Sequence, residues 1–100
     1  MKKQGYTYIM TNKNKTVLYI GVTSDLKKRV YDHKTGKIPG FTKKYKVQYL
    51  IYYEILESIN DAIYREKVLK GKTRSKKEII ISKVNPEWSE LCEVDSSASP

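Results

Sequence analysis

The sequence has little of what secreted and membrane-bound chains depend on. Cysteine occurs once in 100 residues, as Cys92, so no disulfide can form within the chain. The opening MKKQGYTYIM has no apolar core of about seven or more residues, which argues against a secretory signal. No segment approaches the roughly 18 apolar residues that a membrane helix needs, so we expect a cytoplasmic protein without a membrane partner.

Acidic residues are few in most of the chain. Residues 1 to 84 hold all 20 Lys and Arg but only 7 acids, whereas residues 85 to 100 hold 4 acids and no base, for a formal net charge of +9. A basic body of this kind favours a polyanionic partner, most often nucleic acid, because each neutralised phosphate releases counterions. The length suits one small domain, which we expect over residues 1–91, followed by a disordered, acidic and Ser-rich tail at 92–100.

Turn signals and hydrophobic patterns predict a mixed fold. The predicted strands are residues 5–10, 16–22 and 47–56, of which the first two form a hairpin and the third is long and apolar enough to be central. Three helices are predicted, at residues 25–34, about 59–71 and 74–84. Ser24 or Thr23 can cap the first helix, and within the third Ile79 to Ile81 could instead form a strand. Residues 37–46 are expected to form a basic loop.

The second predicted helix has a carboxylate in its apolar face. Helical geometry places Glu66 on the face formed by Ile59, Ala62, Ile63 and Leu69. An unpaired carboxylate there would cost several kcal/mol, so it must meet a cation, a donor cluster, a metal ion or water. Two interpretations remain open: a metal ligand at the mouth of a cleft, or an ion pair. The neighbouring cations are Lys70, Arg65 and Lys67.

The first predicted helix places Arg29 and His33 one turn apart at the edge of the stripe formed by Leu26 and Val30. Arginine offers a planar fork of donors to phosphate oxygens, and histidine exchanges protons near neutral pH. The alternatives are a solvated charge and a hydrogen-bonded histidine at the core edge.

Tyrosine is unusually common, with nine in 100 residues. Tyr6 and Tyr8 alternate onto one face of the first strand, and Tyr19 lies in its partner. Most tyrosines are expected to pack in the core, but a pair beside an arginine and a histidine could orient or deprotonate water.

Together these residues resemble the GIY-YIG nuclease superfamily, specifically its small single-domain bacterial members. The second signature is intact as Tyr19-Ile20-Gly21, while the first appears as Tyr6-Thr7-Tyr8, with only its final Tyr matched, eleven residues before Tyr19. The likeness extends from residue 5 to about 91. The other matches to family positions are Arg29, His33, the metal-binding Glu66 in AIYREKVLKG, and, less securely, Asn85 in NPEW. Val22 stands where some members have a Lys, so the role of that Lys is either absent or supplied by another residue, such as Lys43 or Lys44.

The resemblance implies a compact α/β (α+β) domain with a central three-stranded antiparallel sheet flanked by helices. It implies metal-dependent hydrolysis of DNA phosphodiester bonds with one Mg²⁺ or Mn²⁺ on Glu66, and with Tyr8 as the leading general base, assisted by Tyr19 and His33. Arg29 would balance charge on phosphorus, and Gly21 and Asn85 would support the site. The expected contacts to the DNA backbone include Lys43, Lys44, Arg65, Lys70 and Arg74.

A single domain leaves no room for a separate DNA-reading module. We therefore expect low sequence specificity, a preference for branched or nicked DNA, or recognition that depends on a homodimer or a protein partner. The main alternative is a non-catalytic nucleic-acid-binding module that keeps the fold, with Glu66 in a structural ion pair. A weaker one is a small scaffold protein without a nucleic-acid role.

Overall fold

The computed structural model describes residues 3–91. Its elements are β1 Gly5–Thr11, β2 Leu18–Thr23, α1 Leu26–Lys34, α2 Phe41–Lys44, β3 Tyr49–Leu56, α3 Ile59–Lys70 and α4 Arg74–Val84. The predicted disordered tail at 92–100, and Cys92 with it, lies outside the described residues. In the part of the chain that the structure describes, no helix is long and apolar enough to cross a membrane.

The three strands form one antiparallel sheet in the order β2-β1-β3. This confirms the expected α+β fold with a three-stranded sheet and flanking helices. The expectation that the third strand would be central is wrong, because β1 occupies the centre and β3 an edge. The central position of β1 was not predicted because its threonines look polar in the sequence. Thr7 and Thr11 are nevertheless fully buried, and their hydroxyls donate hydrogen bonds to the carbonyls of Ala62 and Val17.

Helices cover both faces of the sheet. One face carries Tyr8 and Met10 and packs against α1 through Leu26 and Val30. The opposite face packs against α3 and α4. Its buried residues include Ile9, Ile20, Leu69 and Ile81. Each face of the sheet therefore has its own apolar cluster, and side chains that alternate along β1 enter the two clusters in turn.

The helix boundaries largely follow the predicted ones. Asp25, rather than Ser24 or Thr23, caps α1, since its side chain accepts a hydrogen bond from the backbone N–H of Lys28. The helix α4 continues through residues 79–81, so the strand alternative there is wrong. The predicted loop at 37–46 contains the short helix α2.

The start of α3 approaches the sheet closely at Gly5. A β-carbon at position 5 would lie 2.7 Å from the carbonyl oxygen of Ser58 and 2.9 Å from the β-carbon of Ala62. Ser58 caps the helix, since its side chain accepts a hydrogen bond from the backbone N–H of Asp61. The apolar face of α3 is narrower than its spacing suggested, because Ile59 and Ile63 are each more than one third exposed while Ala62 and Leu69 are fully buried.

Candidate active site

The ring of Tyr8 lies across the neighbouring strand at Gly21. The two residues face each other in the register of β1 and β2. A β-carbon at position 21 would come within 2.5 Å of the Tyr8 ring carbon Cζ and would overlap its hydroxyl group. Glycine at the end of the Tyr19-Ile20-Gly21 signature therefore provides the space that the Tyr8 phenol occupies.

His33, in α1, contacts the Tyr8 phenol. The Tyr8 hydroxyl lies 3.1 Å from Nε2 of His33, and the His33 side chain is buried, with 3% of its surface exposed. The second ring nitrogen, Nδ1, lies 3.3 Å from Oγ1 of Thr42 in α2. The Tyr19 ring centroid is 5.5 Å from that of His33 and 6.3 Å from that of Tyr8. Two strands and two helices thus meet at one cluster of tyrosine and histidine.

Both members of the Tyr8–His33 pair favour their neutral forms. Burial, and then the neighbouring Tyr19, raise the pKa of Tyr8 well above its ordinary value of 10.0. Burial, and then the charge of Arg29, lower the pKa of His33 to about 4, against a smaller opposing effect of Asp32. At neutral pH the phenol keeps its proton, and the imidazole has one nitrogen available to accept a hydrogen bond.

Arg29 lies half-buried beside this pair, and its charge lowers the pKa of both Tyr8 and His33. The other arginines, Arg65 and Arg74, form ion pairs with Glu54 and Glu78. Within residues 3–91 no carboxylate forms an ion pair with the Arg29 guanidinium. Within the described residues, its fork of donors is therefore not engaged by a carboxylate, and its charge is felt by both members of the pair.

Glu66 lies on α3, at the opposite face of the sheet, yet its charge acts on the Tyr8 phenol and raises the pKa of that group. Its side chain is 16% exposed and forms an ion pair with Nζ of Lys70 at 3.0 Å. The ion pair left open by the sequence is therefore present, although the solvent-facing Lys70 leaves the carboxylate within reach of a competing cation.

Glu66 is a single carboxylate, and a magnesium ion can be held by so few protein ligands. In the described part of the chain, no group of three or more His, Cys, Asp or Glu side chains is arranged to hold a metal. Mg²⁺ is commonly bound through one or two carboxylates, with waters and substrate phosphates completing its ligands. One partly exposed carboxylate, as Glu66 is, is compatible with that mode of binding.

The predicted backbone contacts differ in their availability. Lys43 and Lys44 are exposed on α2. The other three are paired within the protein: Arg65 with Glu54, Lys70 with Glu66, and Arg74 with Glu78. The Arg65 pair is bidentate and partly buried, since both Nε and an Nη donate to Glu54. A phosphate would therefore have to displace the Arg65 partner, whereas the α2 lysines are accessible.

Asn85 has a structural position at the end of α4. Its Nδ2 group donates hydrogen bonds to the carbonyls of Ile51 and Ser89, and its Oδ1 accepts one from the Ser89 N–H. The residue is buried, with 7% of its surface exposed. These hydrogen bonds join α4 and the following turn to β3, and none of them reaches the tyrosine and histidine cluster.

Sequence reasoning missed two residues of this region, Phe41 and Thr42, because the segment was interpreted as a loop. Thr42 contacts Nδ1 of His33, and the Phe41 ring lies 6.5 Å from that of Tyr19 in a nearly parallel orientation. The spacing of Phe41 and Tyr45, which are four residues apart after Gly40, was the available signal for a short helical turn.

Comparison with known proteins places this arrangement in a family. The model of the GIY-YIG catalytic domain matches residues 4–79. The chain belongs to the GIY-YIG family. This is a family of nucleases, so its members' common substrate is nucleic acid.

Relatives of this GIY-YIG protein have a similar size. UPF0213 proteins of Streptococcus pyogenes serotype M5 (strain Manfredo) and serotype M1 are each 41% identical to it over 76 residues, which cover 75% of this chain and 82% of the relative. The solution NMR structure of the UPF0213 protein BH0048 from Bacillus halodurans is 24% identical. The superposition covers 97% of this chain and 99% of the Bacillus halodurans chain, with a TM-score of 0.55, which supports the fold.

Proposed function

We propose that this GIY-YIG protein is a metal-dependent DNA endonuclease of the cytoplasm, with low sequence specificity or a preference for branched or nicked DNA. The observation that carries the proposal is the buried Tyr8–His33 hydrogen bond beside the charge of Arg29. It combines a proton relay with an anion-binding group, the two functions that phosphodiester hydrolysis requires of side chains. The basic body supplies general attraction to DNA, and a homodimer or protein partner could add recognition.

The neutral state of the pair defines how Tyr8 would act. Because its pKa is raised, the Tyr8 phenol is not ionised at neutral pH. It can therefore accept a proton from water only while it passes its own proton to another group. When Nδ1 of His33 donates to Thr42, Nε2 accepts the Tyr8 hydroxyl hydrogen. The Tyr8 oxygen can then take a proton from water while its own proton passes to His33, where Asp32 favours the charged imidazole.

In this scheme the water oxygen forms a bond to phosphorus, and the bond from phosphorus to the leaving sugar oxygen breaks. The leaving oxygen takes a proton from solvent, and His33 later returns its proton to solvent. Tyr19 orients the water beside the Tyr8 and His33 rings. Arg29 donates hydrogen bonds to the phosphate oxygens, which gain negative charge as the water attacks.

Glu66 would hold the single divalent ion, Mg²⁺ or Mn²⁺, after the carboxylate exchanges its Lys70 partner. When bound, such an ion supplies neutralisation of charge on the phosphate and on the leaving oxygen. Gly21 supports the site through the space it leaves for the Tyr8 ring.

The test is cleavage of labelled linear, nicked, flapped and branched DNA with Mg²⁺, with Mn²⁺ and with chelator. Glu66→Gln and Arg29→Gln should abolish metal-dependent cutting. Glu78→Gln and Lys27→Gln are matched controls, because the first breaks another helical ion pair and the second removes one charge from α1. If all five proteins leave every substrate intact under each condition, the endonuclease proposal is wrong for these substrates.

The Glu66–Lys70 ion pair favours a second candidate, a nucleic-acid-binding module without catalytic activity. For such a module, binding should depend strongly on salt and not on divalent metal. Glu66→Gln would then leave DNA affinity nearly unchanged, and its main effect would be on folding. The same proteins, titrated with DNA in chelator and in Mg²⁺, distinguish the two functions.

A further inference from the structure

A group of exposed aromatic rings adjoins the tyrosine and histidine cluster. The Phe41 ring centroid lies 6.5 Å from that of Tyr19 with an interplanar angle of 25°, and 4.8 Å from that of Tyr45 with an interplanar angle of 49°. Phe41 is 49% exposed and Tyr45 43% exposed. We call Phe41 and Tyr45 the aromatic platform. Both rings are open to solvent, and Phe41 contacts Tyr19 of the candidate active site.

The aromatic platform is tied to the site by the residue between its two rings. Thr42 is buried, and its Oγ1 lies 3.3 Å from Nδ1 of His33. Its carbonyl oxygen accepts a hydrogen bond of 2.9 Å from the N–H of Val47. A ligand that contacts Phe41 is therefore held at a fixed distance from His33, and from the phosphate that the site would cleave.

The surroundings of the aromatic platform are cationic. Residues 35 to 53 include four lysines and no acidic residue. Nζ of Lys44 lies over the Tyr45 ring, 5.4 Å from its centroid, which puts a positive charge against one face of Tyr45 beside Phe41. Flat apolar faces bordered by ammonium groups match the bases and the phosphates of a nucleic-acid strand.

We propose that the aromatic platform stacks an unpaired base next to the scissile phosphate, so that the substrate is a single strand or the unpaired part of a flap or branch. The proposal rests on the nuclease function proposed above and deepens it. A base within a duplex has both faces covered by its neighbours, whereas an unpaired base offers a face to Phe41. Stacking on aromatic side chains contributes about 1–3 kcal/mol per base in proteins that bind single strands.

The test measures binding in chelator, where no cutting occurs, by fluorescence anisotropy of dye-labelled single strands and of duplexes with the same sequence. Phe41→Leu removes the aromatic face and keeps apolar bulk. It should weaken single-strand binding about 5- to 150-fold, the equivalent of 1–3 kcal/mol, and leave duplex binding within about twofold. Tyr64→Leu is the matched control, since Tyr64 is an aromatic residue of α3 with 72% exposure, and it should leave both affinities unchanged.

A second measurement maps the contact directly. A single strand that carries 5-iododeoxyuridine is irradiated on the unmutated protein, and the crosslinked peptide should contain Phe41 or Tyr45. Equal affinity for single strand and duplex, equal weakening of both by Phe41→Leu, or crosslinks that avoid residues 41–45 would each overturn the inference. If metal-dependent cutting is still observed alongside any of these results, the proposed nuclease function stands and only the stacking proposal fails. If single strands stack on the platform but no DNA is cut, the proposed nuclease function fails instead.

Discussion

The Tyr8 hydroxyl lies 3.1 Å from Nε2 of His33, and the Tyr8 ring fits over the backbone of Gly21. Three segments that are distant in sequence thus fix one phenol. Its pKa is raised by burial, so the hydrogen bond joins two neutral groups, of which one can pass a proton to the other. This geometry makes separate predictions about the hydroxyl, the ring and the imidazole.

Tyr8→Phe keeps the ring and removes only the hydroxyl. We expect cleavage to fall by about 10²-fold or more, since general acid–base groups typically contribute that much. Stability should fall by only about 1–3 kcal/mol, because Nε2 of His33 loses a partner. Tyr52→Phe is the control: it removes a part-buried hydroxyl, which donates to Glu54 on the opposite face, and cutting should persist. Similar activity in both variants would exclude Tyr8 from proton transfer.

Gly21→Ala should disturb the site through packing. The added methyl group would overlap the Tyr8 phenol, and overpacking of this kind costs about 1–3 kcal/mol. Gly71→Ala is the matched control, since a β-carbon there meets nothing nearer than 3.6 Å. In urea unfolding, the double variant Gly21→Ala/Tyr8→Ala should be more stable than the sum of the single effects predicts. Additive losses would show that the two side chains do not compete for space.

Protonation of His33 should destabilise the fold in acid. The groups that face His33 are Tyr8, Tyr19, Arg29 and Asp32, and its pKa falls from 6.5 to about 4 on folding. Between these two pH values the unfolded chain binds more protons than the folded one. The contribution of neutral His33 to the free energy of unfolding is therefore fully present above pH 6.5 and is lost as the pH drops toward 4. The loss is at most about 3.5 kcal/mol, because each pKa unit corresponds to about 1.4 kcal/mol. Chemical denaturation of His33→Gln should show a shallower slope in this window, and equal slopes would contradict the prediction.

The sheet, its flanking helices and most element boundaries could be predicted because alternation and capping are local properties of the sequence. The position of β1 could not, because its buried threonines look polar in the sequence, and their partners at Ala62 and Val17 are set by tertiary structure. The apolar segment of β3 could equally be a central or an edge strand.

The candidate site was predictable to the extent that its residues belong to signatures. Arg29 and His33 share a helix edge, and Glu66 was conspicuous as a carboxylate among apolar residues. The contributions of α2 were missed, because a helix of four residues has almost no periodicity and its contact with His33 depends on chain reversal at Gly40. Partners such as Glu54 for Arg65 also escape prediction, since they join different elements.

Asn85→Ala separates a structural from a catalytic role at this position. The amide makes three hydrogen bonds that join α4, the following turn and β3, so its loss should cost about 2–4 kcal/mol. Assayed below its melting temperature, the folded variant should cut DNA within about threefold of the parent. Activity that falls far more than the folded fraction, measured by circular dichroism under the same conditions, would instead assign Asn85 to the site.

Lys70→Met tests whether the ion pair competes with a metal at Glu66. The Lys70 ammonium lies 3.0 Å from the carboxylate, so its removal frees an oxygen and increases the local negative potential. We expect several-fold tighter Mn²⁺ binding by calorimetry and a lower half-saturating Mg²⁺ concentration for cutting. Lys67→Met removes the same charge from an exposed position of α3 and should have a smaller effect. Unchanged metal binding together with a loss of folding stability would identify the pair as structural, and would favour the non-catalytic module.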